Sequence, residues 1–233
     1  MTTRAVAIVV PVLDERALVD RLCEQLHELS ATSEVVVVDG GSTDGTAALL
    51  EARSHVLGFR VIAARRGRAS QMNAGARASS APTLLFLHAD TRLPPGASAA
   101  VERAVTAGAI AGCFKLRIDS SDPRLHAAAG IINLRSRIMC SASGDQALFV
   151  TRRAFDAVGG FEDLPVCEDL DLVRRLRGRG TFMCLDEQVV TSARRWVHGG
   201  VTRTIALMWA LRVGWHLGVN PVRLASLYRN NAR

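Results

Sequence analysis

Apolar and polar positions along the first half of the chain fall into alternating blocks of two kinds. Short, continuous apolar runs rich in β-branched residues predict buried strands at 5–10, 34–38, 60–64 and 83–87. Between them, apolar residues recur at helical spacing. This is clearest over 15–29 (Leu18, Val19, Leu22, Leu26, Leu29), and helices are also predicted from a cap at Thr43 or Asp44 to about 54, over 68–79, and over 97–105 behind Pro94-Pro95-Gly96. Repeated strand-helix units of this kind predict an α/β fold with a mostly parallel central sheet and helices on both faces.

The second half is less regular. A strand is predicted over 109–118, a helix or long surface excursion over 125–139, a short strand over 147–150, a short helix over 152–158 and a basic helix over 168–179 stopped by Gly180. The segment 204–219 is apolar apart from Arg212 and His216, which share one helical face. It is too short to span a bilayer, so an interfacial helix, a packed helix or a dimer contact is expected there. With 233 residues and no linker or repeat, the chain is expected to form a single domain.

Composition narrows the setting. A hydrophobic share of 48% and a charged share of 22% belong to an ordinary globular protein. The net charge of +7, carried almost wholly by arginine, with Lys115 the sole lysine, calls for an anionic partner. Aromatic residues make up only 5%, too few for base-stacking platforms, so nucleic acid is not the expected partner. Five scattered cysteines without a C-x-x-C pair read as small hydrophobes in a reducing compartment, and the N-terminus shows no signal-peptide pattern; a cytoplasmic location is expected, with the inner face of the membrane as one setting.

Two of the apolar runs end in carboxylates. Val35–Val38 closes on Asp39, ahead of Gly40-Gly41-Ser42-Thr43-Asp44, and 84–87 closes on His88-Ala89-Asp90. In an open α/β sheet, ligands sit at the carboxyl ends of strands, so both acids are expected at one crevice. Asp39 has no structural duty visible in the sequence, and a nucleotide base offers an N–H that its carboxylate can accept. His88 and Asp90 form an oxygen-nitrogen donor set suited to Mn²⁺ or Mg²⁺ bridging a diphosphate. Arg68 can pair with phosphate, and Asn73 can support the nucleotide loop by hydrogen bonds. Glu168-Asp169 follows the Gly159-Gly160-Phe161 turn, and Asp169 is a candidate general base.

Taken together, Pro11-Val12-Leu13-Asp14-Glu15, the run from Val35 through Asp39 to Thr46, Asn73-Ala74-Gly75, the strand-end His88-Ala89-Asp90-Thr91, the Gly-Gly-Phe turn and Glu168-Asp169 resemble family 2 glycosyltransferases of GT-A fold. The pattern looks most like a compact bacterial branch labelled as arsenosugar-pathway or carotenoid-acid glycosyltransferases. The resemblance implies inverting transfer from a nucleotide-diphosphate sugar, such as UDP-glucose, to an acceptor hydroxyl or carboxylate on a lipid or small molecule. It implies a nucleotide-binding half at about 1–110, an acceptor half at about 111–200 and a helical tail at 201–233. It places Pro11, Glu15 and Asp39 at the nucleoside, Arg68 near uridine or phosphate, Asp90 on the metal, and Asp169 on the acceptor hydroxyl with Glu168 orienting it. Where the family usually has D-x-D, this chain has His88-Ala89-Asp90. Two other readings are a nucleotidyltransferase, which should open with a glycine-rich, lysine-containing loop absent here, and a non-catalytic basic protein binding membrane or nucleic acid, which leaves the ordered acids unexplained.

Overall fold

The computed structural model describes residues 4–231, so the outermost residues of the expected domain, 1–3 and 232–233, lie outside it. The predicted strand-helix units are present: β1 (Val6–Val12), α1 (Val19–Ser30), β2 (Glu34–Asp39), α2 (Thr46–Leu57), β3 (Arg60–Ala63), α3 (Arg68–Ala78) and β4 (Thr83–Phe86). Then come β5 (Thr91–Arg92), α4 (Ala97–Thr106), β6 (Ala109–Asp119), α5 (Pro123–Met139), β7 (Leu148–Thr151), α6 (Arg152–Ala157), α7 (Glu168–Leu176) and β8 (Thr181–Ser192). The chain closes with α8 (Arg194–His198), α9 (Val201–His216) and α10 (Pro221–Asn231).

The strands form one eight-stranded sheet in the order β3-β2-β1-β4-β7-β6-β8-β5. The half from β3 to β4 is parallel throughout, as is the β6–β8 pair, whereas β4–β7, β7–β6 and β8–β5 are antiparallel. Strands β1, β2 and β4 are buried on both faces because alternate side chains feed two cores, whereas edge strand β3 stays partly exposed. Val35 and Val37 of β2 belong to the core that also holds residues of α1, α2, α4 and α5, while Val36 and Val38 belong to the one that holds residues of α3, α6 and α7. Residues Leu207, Leu211 and Leu224 seal α9 against α10 in a third, smaller cluster. No helix among the described residues is long and apolar enough to cross a membrane.

Pro11 was expected at a strand end and lies inside β1, opposite Val38 of β2. Its missing N–H costs nothing because β4 stops pairing at Val9–Phe86, so the side of β1 that Pro11 faces no longer has a neighbouring strand. The sheet parts here: β1 leads to β2 and β3 in one direction, and β4 lies in the other. This is the switch point at which open α/β sheets bind ligands.

Among the described glycines, the space for a Cβ is tightest at Gly112 of β6, between its neighbouring strands β7 and β8. A Cβ there would lie 2.1 Å from the Met183 carbonyl oxygen and 2.4 Å from the Phe149 ring. Overpacking a close-packed core typically costs about 1–3 kcal/mol, and backbone cannot give way as a side chain can. Gly112→Ala is therefore expected to lower stability by about 3 kcal/mol, read as a reduced urea midpoint at unchanged m-value. The cysteines form no disulfide; Cys23 and Cys113 are buried as expected, but Cys140, Cys167 and Cys184 are only half-buried.

Candidate active site

Two cavities open at the switch point and meet along a common wall. The first, of about 320 Å³, is lined by Pro11 and Glu15 from the end of β1, Arg66, Arg68 and Gln71 around the start of α3, and His88 and Asp90 after β4. The second, of about 220 Å³, lies between the start of α7, the Ser143–Asp145 turn, α5, α9 and α10. Arg68, His88 and Arg195 line both.

Local structure explains how the first cavity is held open. The buried Gln71 amide donates to the Val12 and Val38 carbonyls, 2.8 Å each, tying the ends of β1 and β2 together. Asp39 does have a structural duty, which the sequence did not reveal. It is only 6% exposed, and its carboxylate accepts from Gly41 N (2.8 Å), Ser42 N (3.0 Å) and Ser42 Oγ (2.5 Å). Asp39 thus shapes the 40–43 loop and is not among the residues lining either cavity. Asp14 accepts from Thr43 N at 2.7 Å, linking that loop to the end of β1. Asn73 lies away from this loop as well: its amide bonds both main-chain groups of Phe161, pinning the Gly-Gly-Phe turn to α3.

At the common wall, His88 Nδ1 lies 3.0 Å from Asp145 Oδ1, and the opposite edge of the ring lies so close to Gly144 that a Cβ there would be 2.5 Å from Nε2. Burial works to raise the pKa of Asp145, but its hydrogen bond to His88 and the charges of Arg195 and Arg68 overcome this and hold the carboxyl below the ordinary range. Asp145 in turn is the main cause of the raised pKa of Arg195. The half-buried Asp90 carboxylate has, among the described residues, only a long 3.5 Å contact from Thr91 Oγ1. Among the described residues no three His, Cys, Asp or Glu side chains cluster as a ready metal site. Mg²⁺ and Mn²⁺ commonly bind through one or two carboxylates together with substrate phosphates, so the lightly engaged Asp90 carboxylate fits a cation that arrives with a diphosphate.

Across the wall, α7 starts at Cys167, whose φ of 64° turns the chain so that Glu168 and Asp169 enter the second cavity together. Glu168 is buried and accepts from Arg68 Nη1 at 3.1 Å. Asp169 accepts from Gly144 N (2.6 Å) and Leu170 N (2.7 Å). Burial first, and the neighbouring Glu168 charge second, raise the pKa of Asp169, while those two N–H groups and Arg68 pull the other way. For Arg68, partial burial opposes the charge, but Glu168, Asp145 and Asp169 more than offset it and the pKa rises. The structure therefore brings Pro11, Glu15, Arg68, His88, Asp90, Glu168 and Asp169 to the paired cavities and leaves Asp39 and Asn73 behind them. His198 is exposed on α8 and lines neither cavity. Missing from the sequence reading as site residues were Asp145, Arg195, Arg135 and Arg212; nothing in their local sequence sets these arginines apart from the chain's many others.

A family model described as Glycosyl transferase family 2 matches residues 7–147. Among solved structures, the fold is similar to S. aureus TarS 1-349 in complex with UDP-GlcNAc, with a TM-score of 0.64 and 17% identity over 80% of this chain and 58% of that one. It is also similar to the mannosyltransferase PcManGT from Pyrobaculum calidifontis in complex with GDP-Man and Mn²⁺, with a TM-score of 0.70 and 20% identity over 93% of this chain and 63% of that one. The chain thus spans about three fifths of the length of these two relatives in fold. No curated protein sequence matches it.

Proposed function

Because this chain belongs to glycosyl transferase family 2, we propose that its two abutting cavities take the two partners of a sugar transfer, a nucleotide-diphosphate sugar in the first and the acceptor in the second. The observation that carries this reading is the common wall: Arg68, His88 and Arg195 line both cavities, with Asp90 on one side and Glu168-Asp169 on the other. Pro11 and Glu15 serve the nucleoside end, and Asp39 serves it indirectly by bracing the 40–43 loop. Asn73 acts at one further remove, through the Gly-Gly-Phe turn. We take the donor to be a UDP-hexose such as UDP-glucose.

A divalent cation, held by Asp90 and the donor, would neutralise negative charge on the departing diphosphate. The guanidinium groups of Arg68, held by Glu168, and of Arg195, in the field of Asp145, face the same developing charge from the common wall. The acceptor hydroxyl enters from the second cavity and attacks the anomeric carbon on the face opposite the diphosphate. A new carbon-oxygen bond forms, the bond to the diphosphate oxygen breaks with its electron pair leaving on that oxygen, and the hydroxyl proton passes to Asp169. The anomeric centre is inverted. Glu168, tied to Arg68, keeps the diphosphate side and the base side in register.

The test is a thermal-shift panel of UDP-, GDP- and other nucleotide-sugars with and without Mn²⁺, followed by release of UDP from UDP-glucose. Stabilisation by UDP-sugars that Mn²⁺ increases is the expected result. No shift with any nucleotide-sugar would overturn the reading of the first cavity. A pH profile gives a second check. Asp169 works only when deprotonated, so turnover should fall on acidification through a pKa above the ordinary carboxylate value. Since Arg68 lowers that pKa, Arg68→Gln should move the acidic limb to higher pH; an unmoved limb would separate Asp169 from the limb.

Apolar residues exposed on α5 (Ile131, Leu134, Ile138) and on α9 (Trp209, Val213), elements that wall the acceptor cavity, support approach to a membrane interface. Flotation with anionic vesicles, lost in Leu134→Glu, tests this; concentration-dependent dimerisation without flotation would assign the same surface to a second copy.

A further inference from the structure

The acceptor cavity is lined by four arginines and three carboxylates, and their pairing leaves a remainder. Glu168 is engaged by Arg68, and Asp145 by His88 with Arg195 close by. Asp169 is then the acid left to face Arg135 of α5 and Arg212 of α9. Arg135 Nε and Nη2 are shut off from solvent and find no hydrogen-bond partner among the described residues. Arg212 donates to Ser141 Oγ at 2.5 Å, an uncharged acceptor. Burial, then repulsion from Arg212, lowers the pKa of Arg135 to about 10, and burial lowers that of Arg212 as well. Neither arginine lines the donor cavity, so the donor diphosphate does not account for them. Around them the wall is apolar, with Ile132, Val166, Leu170, Ile205, Met208 and Trp209.

Buried charge is costly unless it is paired, and an apolar chamber with surplus positive charge is complementary to an apolar ligand that carries one anionic group. We propose that the acceptor is an apolar molecule bearing a single anionic group, a carboxylate or a phosphate monoester, which sits on Arg135 and Arg212 beside the separate hydroxyl that Asp169 deprotonates. The inference rests on assigning this cavity to the acceptor. The anionic group is held and not glycosylated: a carboxylate nucleophile would need no base, whereas Asp169 is placed to act as one. As Asp169 takes up the hydroxyl proton its own negative charge disappears, which strengthens the hold of the two arginines on the anion.

Trp196 and Trp209 line this cavity, so tryptophan fluorescence of the full chain reports its occupancy. Dodecanoate, dodecyl phosphate and dodecanol, each titrated below its micellar or solubility limit, separate the two anions from a neutral chain of the same length. Both anions, or one of them, should bind at least tenfold more tightly than dodecanol, and the tighter of the two identifies the group. Arg135→Gln with Arg212→Gln should abolish the preference while leaving dodecanol affinity and the UDP-induced thermal shift in place, and Arg135→Lys should retain it. Arg135→Gln alone should raise Tm, since it removes an uncompensated buried charge; a purely structural arginine would lower it. Equal binding of dodecanol and the anions by the unmodified protein, or a preference that survives in the double variant, would overturn the proposal. Displacement of dodecanoate by UDP would instead overturn the assignment of the two cavities, which is a different failure.

Discussion

Asp169→Asn is expected to reduce turnover by about three orders of magnitude while leaving nucleotide-sugar binding within about twofold, because general-base contributions run to about 10²–10⁴-fold. The residue lines the acceptor cavity and not the donor cavity, so its loss should be felt in chemistry and not in donor affinity. Both of its carboxylate oxygens accept main-chain N–H bonds, from Gly144 and Leu170. Asparagine keeps one acceptor and turns a donor toward the other N–H, so some loss of stability accompanies the loss of the base. Thermal unfolding with and without UDP separates the two: a folded, UDP-binding, inactive variant is the expected outcome. Turnover within tenfold of the unmodified enzyme would remove Asp169 as the base and turn attention to Glu168. That second candidate is weaker on geometry, since its carboxylate is buried against Arg68.

Asp90→Ala should lower turnover by a similar factor, about 10³, through the opposite cavity, since Lewis-acid stabilisation of a leaving oxygen is worth several kcal/mol. Its signature is in binding. In the unmodified protein Mn²⁺ should deepen the thermal shift produced by UDP; in Asp90→Ala the UDP shift should remain and the Mn²⁺ increment should vanish. Persistence of that increment would show that Asp90 does not hold the cation. His88 is expected to behave differently, because its Nδ1 is engaged by Asp145 and its far edge lies against Gly144. Replacing His88 should disturb the common wall more than the cation dependence.

Reading the chain alone recovered the parallel half of the sheet to within a residue or two, because those strands are short, β-branched and bounded by glycine or polar turns. It failed at β8 and β5. The predicted basic helix over 168–179 ends in the structure at Leu176, and the next segment becomes a twelve-residue strand. Asp186, Glu187 and Gln188 break its apolar pattern, and the pairing with β6 shifts register between Cys113 and Lys115, so no regular alternation marks it. α10 was also missed as a separate helix after α9. Asp39 has a structural duty that the sequence did not reveal. A carboxylate at a strand end looked free for a ligand, but the glycine and serine that follow it fold back to donate three hydrogen bonds.

The sequence by itself determined the alternating framework, a crevice at the carboxyl ends of its strands, and the order of acids Asp90, Glu168 and Asp169, since these depend on local patterns of burial, turn formation and spacing. Tertiary structure alone decided which charges face one another. Arg68 and Glu168 are a hundred residues apart, His88 and Asp145 fifty-seven, and only the packed sheet sets them 3.1 and 3.0 Å apart. The same packing turns Arg135 and Arg212 into one apolar chamber while arginines such as Arg65 and Arg103 remain solvated. An arginine's role is fixed by how much water it keeps and which carboxylates it meets, and both are properties of the folded surface and not of the residues next to it in the chain.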